Sequence, residues 1–234
     1  MQKLIKITTI IIVCVLVLVT GSCKKKDNLT VITPTQHHDY VDLGLPSGVL
    51  WATHNVGATS PEVYGYHFAW GETKPKSSYT WATYQFCYGS NNTFTQYCYN
   101  QNYGYYGFTD NLMTLLPEDD AATTNWGEGW RMPTHEEWEE LYQNTTHDWY
   151  YYNDVRGMLF TASNGNSLFL PAAGWYDSQY HNYYHCDVYY WSSTLNSNNN
   201  PESAWSVGYY TTSTDIGTNY RFRGFAVRPV CNGQ

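Results

Sequence analysis

The segment Gly129-Trp130-Arg131-Met132-Pro133-Thr134-His135-Glu136-Glu137-Trp138-Glu139-Glu140-Leu141 constrains this chain more than any other. Pro133 ends an extended stretch, Thr134 is placed to cap a first helical turn, and Glu137 stands three residues on to complete a capping box. The spacing predicts a helix over 134–144. Trp138, Leu141 and Tyr142 then share one face, and Glu136, Glu139 and Glu140 face water.

Around that helix the pattern is of short strands. Residues 40–56 alternate around Pro46-Ser47-Gly48 and read as strand, turn, strand. Residues 60–110 read as short strands and long Asn/Gly/Tyr/Ser loops, and 109–123 hold a short helical piece before Trp126. Strands are expected near 158–162, 167–172, 188–193, 203–209 and 221–230, with turn signals such as Asn164-Gly165-Asn166 between them. No internal repeat of fixed period is visible. Few helices, many short antiparallel strands and long loops predict an α+β domain.

Six segments carry a family resemblance. They are Tyr40-Val41-Asp42-Leu43-Gly44-Leu45-Pro46-Ser47-Gly48-Val49-Leu50-Trp51-Ala52-Thr53, Phe68-Ala69-Trp70-Gly71-Glu72-Thr73, Pro117-Glu118-Asp119-Asp120-Ala121-Ala122, the capped helix, Phe169-Leu170-Pro171-Ala172-Ala173-Gly174, and the late pair Tyr190-Trp191-Ser192-Ser193-Thr194 and Gly224-Phe225-Ala226-Val227-Arg228-Pro229-Val230-Cys231. In this order the chain resembles the Bacteroidetes lipoproteins of the Fibrobacter succinogenes major paralogous domain family. The resemblance implies the formylglycine-generating-enzyme-like version of the C-type lectin-like fold. It implies a fold more directly than an activity.

The N-terminus reads as a targeting segment. Lys3 and Lys6 precede an apolar run from Ile10 to Val19, too short for the roughly 20 residues of a membrane span. Thr20-Gly21-Ser22-Cys23 resembles a lipobox, with Thr20 where leucine is usual. Residues 1–22 are expected to be a lipoprotein signal peptide. Residues 23–38 would be the lipidated Cys23 and a tether, and 39–234 one domain of sufficient length for its own core. Lys24-Lys25-Lys26-Asp27 suits either a surface-export signal or the start of a solvated tether. The expected location is the outer membrane, lipid-anchored and cell-surface.

The chain holds 12 basic and 20 acidic residues, net −8, and without Lys3 and Lys6 the balance is 10 against 20. Such a surface disfavours nucleic acid and anionic headgroups, so no nucleic-acid partner is expected and the membrane is reached only through the lipid on Cys23. Only 14% of residues are charged, while tyrosines number 24 and tryptophans 10, a composition suited to recognition surfaces. Cys87, Cys98, Cys186 and Cys231 remain in the mature chain. Their even number in an exported protein predicts disulfides, with Cys87–Cys98 and Cys186–Cys231 the favoured pairs and free thiols the alternative.

Known catalytic patterns are missing. His135-Glu136-Glu137-Trp138-Glu139 lacks the second histidine of a zinc helix, since Glu139 stands in its place. Glu118-Asp119-Asp120 reads as a helix-start cluster, with a calcium site as the alternative. No other cofactor is expected. The copper-dependent cysteine pair and the histidine-rich iron site of the enzyme branch of the fold find no counterpart in Cys186, Cys231 or the histidines, so no enzyme is expected. His181 and His185 are four apart, but in a segment that reads as loop.

The late chain carries the candidate contact face. Trp175, Tyr176, Asp177, Tyr180, His181, Tyr183, Tyr184 and His185 form one cluster, Tyr209, Tyr210 and Asp215 a second, and Tyr220 and Phe222 a third. Such rings and polar groups stack on and select sugars or peptide side chains. Trp138, Trp191, Trp205 and Arg228 read as scaffold. Variable proteins of diversity-generating retroelements share the implied fold, and adenine mutagenesis of Asn codons produces the residue types crowding 176–187. The expected function is binding of a glycan or protein ligand, as by an adhesin. A structural or pilus-associated surface component and a degenerate relative of sulfatase-modifying enzymes are the alternatives.

Overall fold

The computed structural model describes residues 38–198, 200–210 and 214–233. The expected signal peptide, Cys23 and nearly all of the expected tether lie outside the described residues. The architecture is α+β, built from small, mostly antiparallel sheets with few helices.

Strands β1 (Tyr40–Val41), β2 (Val49–Ala52), β4 (Trp130–Arg131) and β14 (Val230–Asn232) form one sheet in the order β1-β2-β14-β4. A second sheet has the order β12-β11-β10-β13-β3. It joins β3 (His67–Phe68), β10 (Val188–Leu195), β11 (Ser203–Tyr209), β12 (Thr214–Tyr220) and β13 (Phe225–Ala226). All its pairings are antiparallel except β10 with β13. Strands β5 (Thr145–Tyr152), β6 (Val155–Ala162) and β7 (Ser167–Pro171) form a three-stranded meander. Strands β8 (Trp175–Asp177) and β9 (Tyr180–Asn182) form a separate hairpin.

Helix α1 (Ala121–Trp126) is capped by Asp120, whose carboxylate accepts from the amides of Ala122 and Thr123. Helix α2 (His135–Asn144) starts at Thr134 with the expected capping box, and Trp138 and Leu141 are its buried residues. The box also ties Glu137 to Arg131 through a bidentate pair at 2.7 and 2.5 Å. Ser47 donates its amide and hydroxyl to Glu140, so that glutamate holds the β1–β2 turn instead of simply facing water.

Strand β10 divides two cores because its alternate side chains point to opposite faces. Tyr189, Trp191 and Leu195 join Trp70, Phe94, Tyr97 and Phe225 on one side. Val188 and Tyr190 join Trp51, Trp138, Leu141 and Phe160 on the other. The expected scaffold residues sit accordingly. Trp138 donates its indole N–H to the Trp191 carbonyl, and Trp191 donates to that of Phe68. Trp205 is half-buried and stacks on His135 at 3.8 Å.

Two fully buried arginines have carbonyls for partners. Arg228 donates to Asn55 Oδ1 and to the carbonyls of Ala52 and Thr53. Burial lowers its pKa to about 10. Arg221 donates to Tyr84 Oη and to the carbonyls of Gln96, Tyr97 and Pro201, and lies 4.1 Å from the Phe94 ring centre.

Several expectations fail here. The four cysteines are free thiols, so neither expected bridge is formed. Cys87 and Cys98 each turn their sulfur to a nearby carbonyl, Trp81 and Asn100 respectively, at 3.2 Å. Cys186 is exposed after β9, whereas Cys231 pairs with Leu50 and Trp130 inside the first sheet. The strand expected over 221–230 is broken: Arg221–Arg223 is a turn, Gly224 makes a single bridge to Tyr176, and within the range only β13 and the start of β14 are strand. Strands β5 and β12 and the β8–β9 hairpin were not expected.

Candidate contact face on the β8–β9 hairpin

The hairpin is fastened through main chain. Tyr176 and Gly224 exchange two backbone hydrogen bonds at 2.8 and 3.0 Å, and Ser178 and Tyr79 exchange two more at 2.8 Å. A Cβ on Gly224 would stand 2.6 Å from the Tyr79 ring, so only glycine lets that ring lie against the strand. Gly174, at φ 62°, brings the chain within 2.3 Å of Asn182 O when measured from a notional Cβ.

On one side of the hairpin the cross-strand pair Tyr176 and His181 stack at 4.4 Å, 9° from parallel. The stack continues to Tyr79 at 5.5 Å below and to Tyr184 at 5.0 Å above. His67 stands edge-on to both Tyr176 and His181 at 5.0 Å. The Ala173 carbonyl accepts from His67 Nε2 at 3.1 Å and His181 Nε2 at 2.7 Å. A carbonyl only accepts, so both rings carry their proton on Nε2. Burial, and then the neighbouring His181, lower the His67 pKa to about 4. Burial also lowers that of His181.

The segment after β9 is wound tightly. Tyr183 and His185 hold φ values of 51° and 64°, and the Tyr183 carbonyl accepts from the amides of Cys186 and Asp187. Non-glycine residues in this region store backbone strain, a feature frequent at binding sites. His185 is fixed by a short hydrogen bond between its Nδ1 and the Tyr64 hydroxyl, whose pKa burial raises to about 12. Tyr184 touches both His181 and His185, so the two histidines are bridged by its ring. Tyr180, Tyr183 and Tyr184 are 72%, 61% and 50% exposed.

On the other side, Arg223 lies 4.4 Å over the Trp175 ring, approaches Asp177 at 3.6 Å and donates to Asn219 Oδ1 at 2.9 Å. Tyr220 is exposed beside this group and stacks on Phe222.

The structure thus brings Trp175, Tyr176, Asp177, Tyr180, His181, Tyr183, Tyr184, His185 and Tyr220 to one hairpin and its borders. It removes others. Tyr209 is fully buried against Phe160 and His147, because β11 is flanked by strands on both edges and turns Val207 and Tyr209 into the core. Phe222 is buried against Trp81. Tyr210 is half-buried and packs on Tyr189. Asp215 is exposed at the opposite end of β12 from Tyr220.

Sequence reasoning missed Tyr64, His67, Tyr79 and Ala173. They lie 70 or more residues upstream of the hairpin or act through main chain, and no local pattern marks them. Asp119 accepts from Gln96 and the Tyr97 hydroxyl, while Asp120 caps α1 and accepts from the Met132 amide. Among the described residues no group of three or more His, Cys, Asp or Glu side chains is placed to hold a metal ion.

Two clefts run near the N-terminal strand. One of about 570 Å³ is lined by His38, His54, Tyr66 and Trp126, and one of about 880 Å³ by Tyr40, Asp42, Glu128 and Trp130. Neither includes a hairpin residue. A sequence family described as Domain of unknown function (DUF8237) matches residues 153–230, from the β5–β6 turn to the start of β14. No curated protein and no solved structure matches the chain.

Proposed function

We propose that this protein is a lipid-anchored bacterial surface protein whose C-type lectin-like domain binds a macromolecular ligand through the β8–β9 hairpin and the 183–187 turn. The observation that carries this reading is the exposed set Tyr180, Tyr183 and Tyr184 on and beside the hairpin, with Tyr184 continuing the Tyr176–His181 stack. Tyrosine offers large contact area with few torsions to freeze, and a rigid base lowers the ordering cost of binding. The hairpin carries charged or polar groups on both sides, Asp177 with Arg223 on one and His185 beside Tyr184 on the other, which favours a protein surface over a small molecule.

Exposure of Tyr180, Tyr183, Tyr184, His185 and Cys186 also supports retroelement diversification, because these positions belong to neither core. A reverse transcriptase gene and a near-identical template repeat beside this gene are expected; absence of both ends that part of the reading.

Protein and glycan arrays probed with the full chain in a non-glycosidic detergent test the binding role. A Tyr183→Ala, Tyr184→Ala variant should lose at least about tenfold in affinity for the captured ligand. Equal capture by the variant sinks the assignment to this face. Anchoring is tested by Cys23→Ser, which should move the protein from the membrane fraction to the supernatant.

A further inference from the structure

A second aromatic surface stands on the 84–108 loops. From Ser77 to Thr109 the chain has no Asp, Glu, Lys, Arg or His, and no Leu, Ile, Val or Met. Within this stretch Tyr88 and Tyr105 stack at 4.3 Å, 18° from parallel, and Tyr105 meets Tyr106 at 4.3 Å and 54°. Tyr88 is 68% exposed and Tyr106 is 92% exposed. Tyr106 holds φ 51° and ψ 35°, a left-handed conformation that costs a tyrosine energy.

The base of this ridge is rigid. Tyr105 donates its amide to the Phe94 carbonyl at 2.8 Å, and Phe94 is fully buried with Arg221 over its ring. Gly104 has no room for a side chain, since a Cβ would lie 1.8 Å from Phe108 O. Tyr88 is pinned through its amide to Thr93. Glu202 reaches this loop from β11's approach, but one of its carboxylate oxygens accepts from Asn91.

We infer that the Tyr88–Tyr105–Tyr106 ridge is a binding platform for a neutral polysaccharide. Exposed rings stack on the C–H faces of pyranoses, and the exposed amides of Asn92, Gln101 and Asn102 can pair with hydroxyls. The stretch offers no charge to an ionic partner. A projecting ridge suits a polymer lying across it, where a small sugar would find no enclosure. This surface shares no residue with the hairpin face.

Native affinity electrophoresis tests it, with the full chain in a non-glycosidic detergent. The gels would contain a mixed-linkage β-glucan, a xylan, a galactomannan or an α-glucan, with polygalacturonate as the charged control. At least one neutral polymer should retard the protein, with little change on raising salt. Tyr88→Ala, Tyr106→Ala should weaken the retardation about tenfold or more. Tyr106→Phe, which keeps the ring, and Tyr183→Ala, Tyr184→Ala should behave as the parent. Retardation by none of the four, equal retardation of the Tyr88→Ala, Tyr106→Ala variant, or loss only in the hairpin variant overturns the inference.

Discussion

The hairpin at 175–182 and the ridge at 88–106 both hold tyrosines out of one domain, yet different chemistry supports them. The ridge rests on a guanidinium: Arg221 donates to the carbonyls of Gln96 and Tyr97 and covers Phe94. The hairpin rests on main-chain pairs and on two histidines sharing the Ala173 carbonyl. A guanidinium keeps its proton at any ordinary pH, whereas the histidine base must stay neutral to keep its geometry. The comparison teaches that exposed tyrosines of the same kind can be indifferent to acid at one place and sensitive to it at another.

Removing the guanidinium tests the first half and should have the largest effect. Arg221→Met leaves three buried acceptors and one part-buried acceptor without their donor and should cost about 4 kcal/mol in urea unfolding. Protection from amide exchange should fall first in 94–105. A loss under about 1 kcal/mol would mean that the loop is held by other contacts.

Acid tests the second half. The folded-state pKa of His67, about 4, lies below its unfolded value of 6.5. Its contribution is therefore complete above pH 6.5 and is lost as pH falls toward 4, a decline of roughly 3 kcal/mol. The lowered pKa of His181 adds in the same direction. Thermal melts across this range should show the decline, and His67→Gln should flatten it. Amide exchange should rise in 173–185 before 94–105; simultaneous opening breaks the distinction.

The smallest effect sharpens it. Tyr183→Ala, Tyr184→Ala removes rings that face solvent and should change stability by no more than about 0.5 kcal/mol, read in the same urea titration. A larger loss would make these rings part of the structure and weaken their assignment to ligand contact.

Helix α2 was legible because its start signal is local: Thr134 and Glu137 are read from four adjacent residues, and the box they predict is present. Strands β6, β7, β10 and β11 were legible from runs of buried apolar residues. Strand β5 was not, because Thr-Thr-His-Asp-Trp-Tyr-Tyr-Tyr places polar or aromatic groups on both faces and hides the period of two. The hairpin was hidden for the same reason, with Tyr or His at three of its six strand positions. The contact face was half legible. Clustered rings located 175–185, but rings alone did not separate the buried Tyr209 and Phe222 from the exposed Tyr183 and Tyr184. Whether a strand is flanked on both edges decides that, and flanking is a property of topology.

The fastening of the hairpin has a consequence for change. Tyr176 with Gly224 and Ser178 with Tyr79 are tied by amides and carbonyls alone. Such ties use no side-chain atom, although Ser178 holds φ 55°, which excludes proline and disfavours β-branched residues there. Foreign sequences grafted over 177–180 should therefore be presented on the same mount, provided Gly224 and the aromatic ring at 79 remain and position 178 takes a residue that tolerates a left-handed backbone, such as Ser, Asn or Gly.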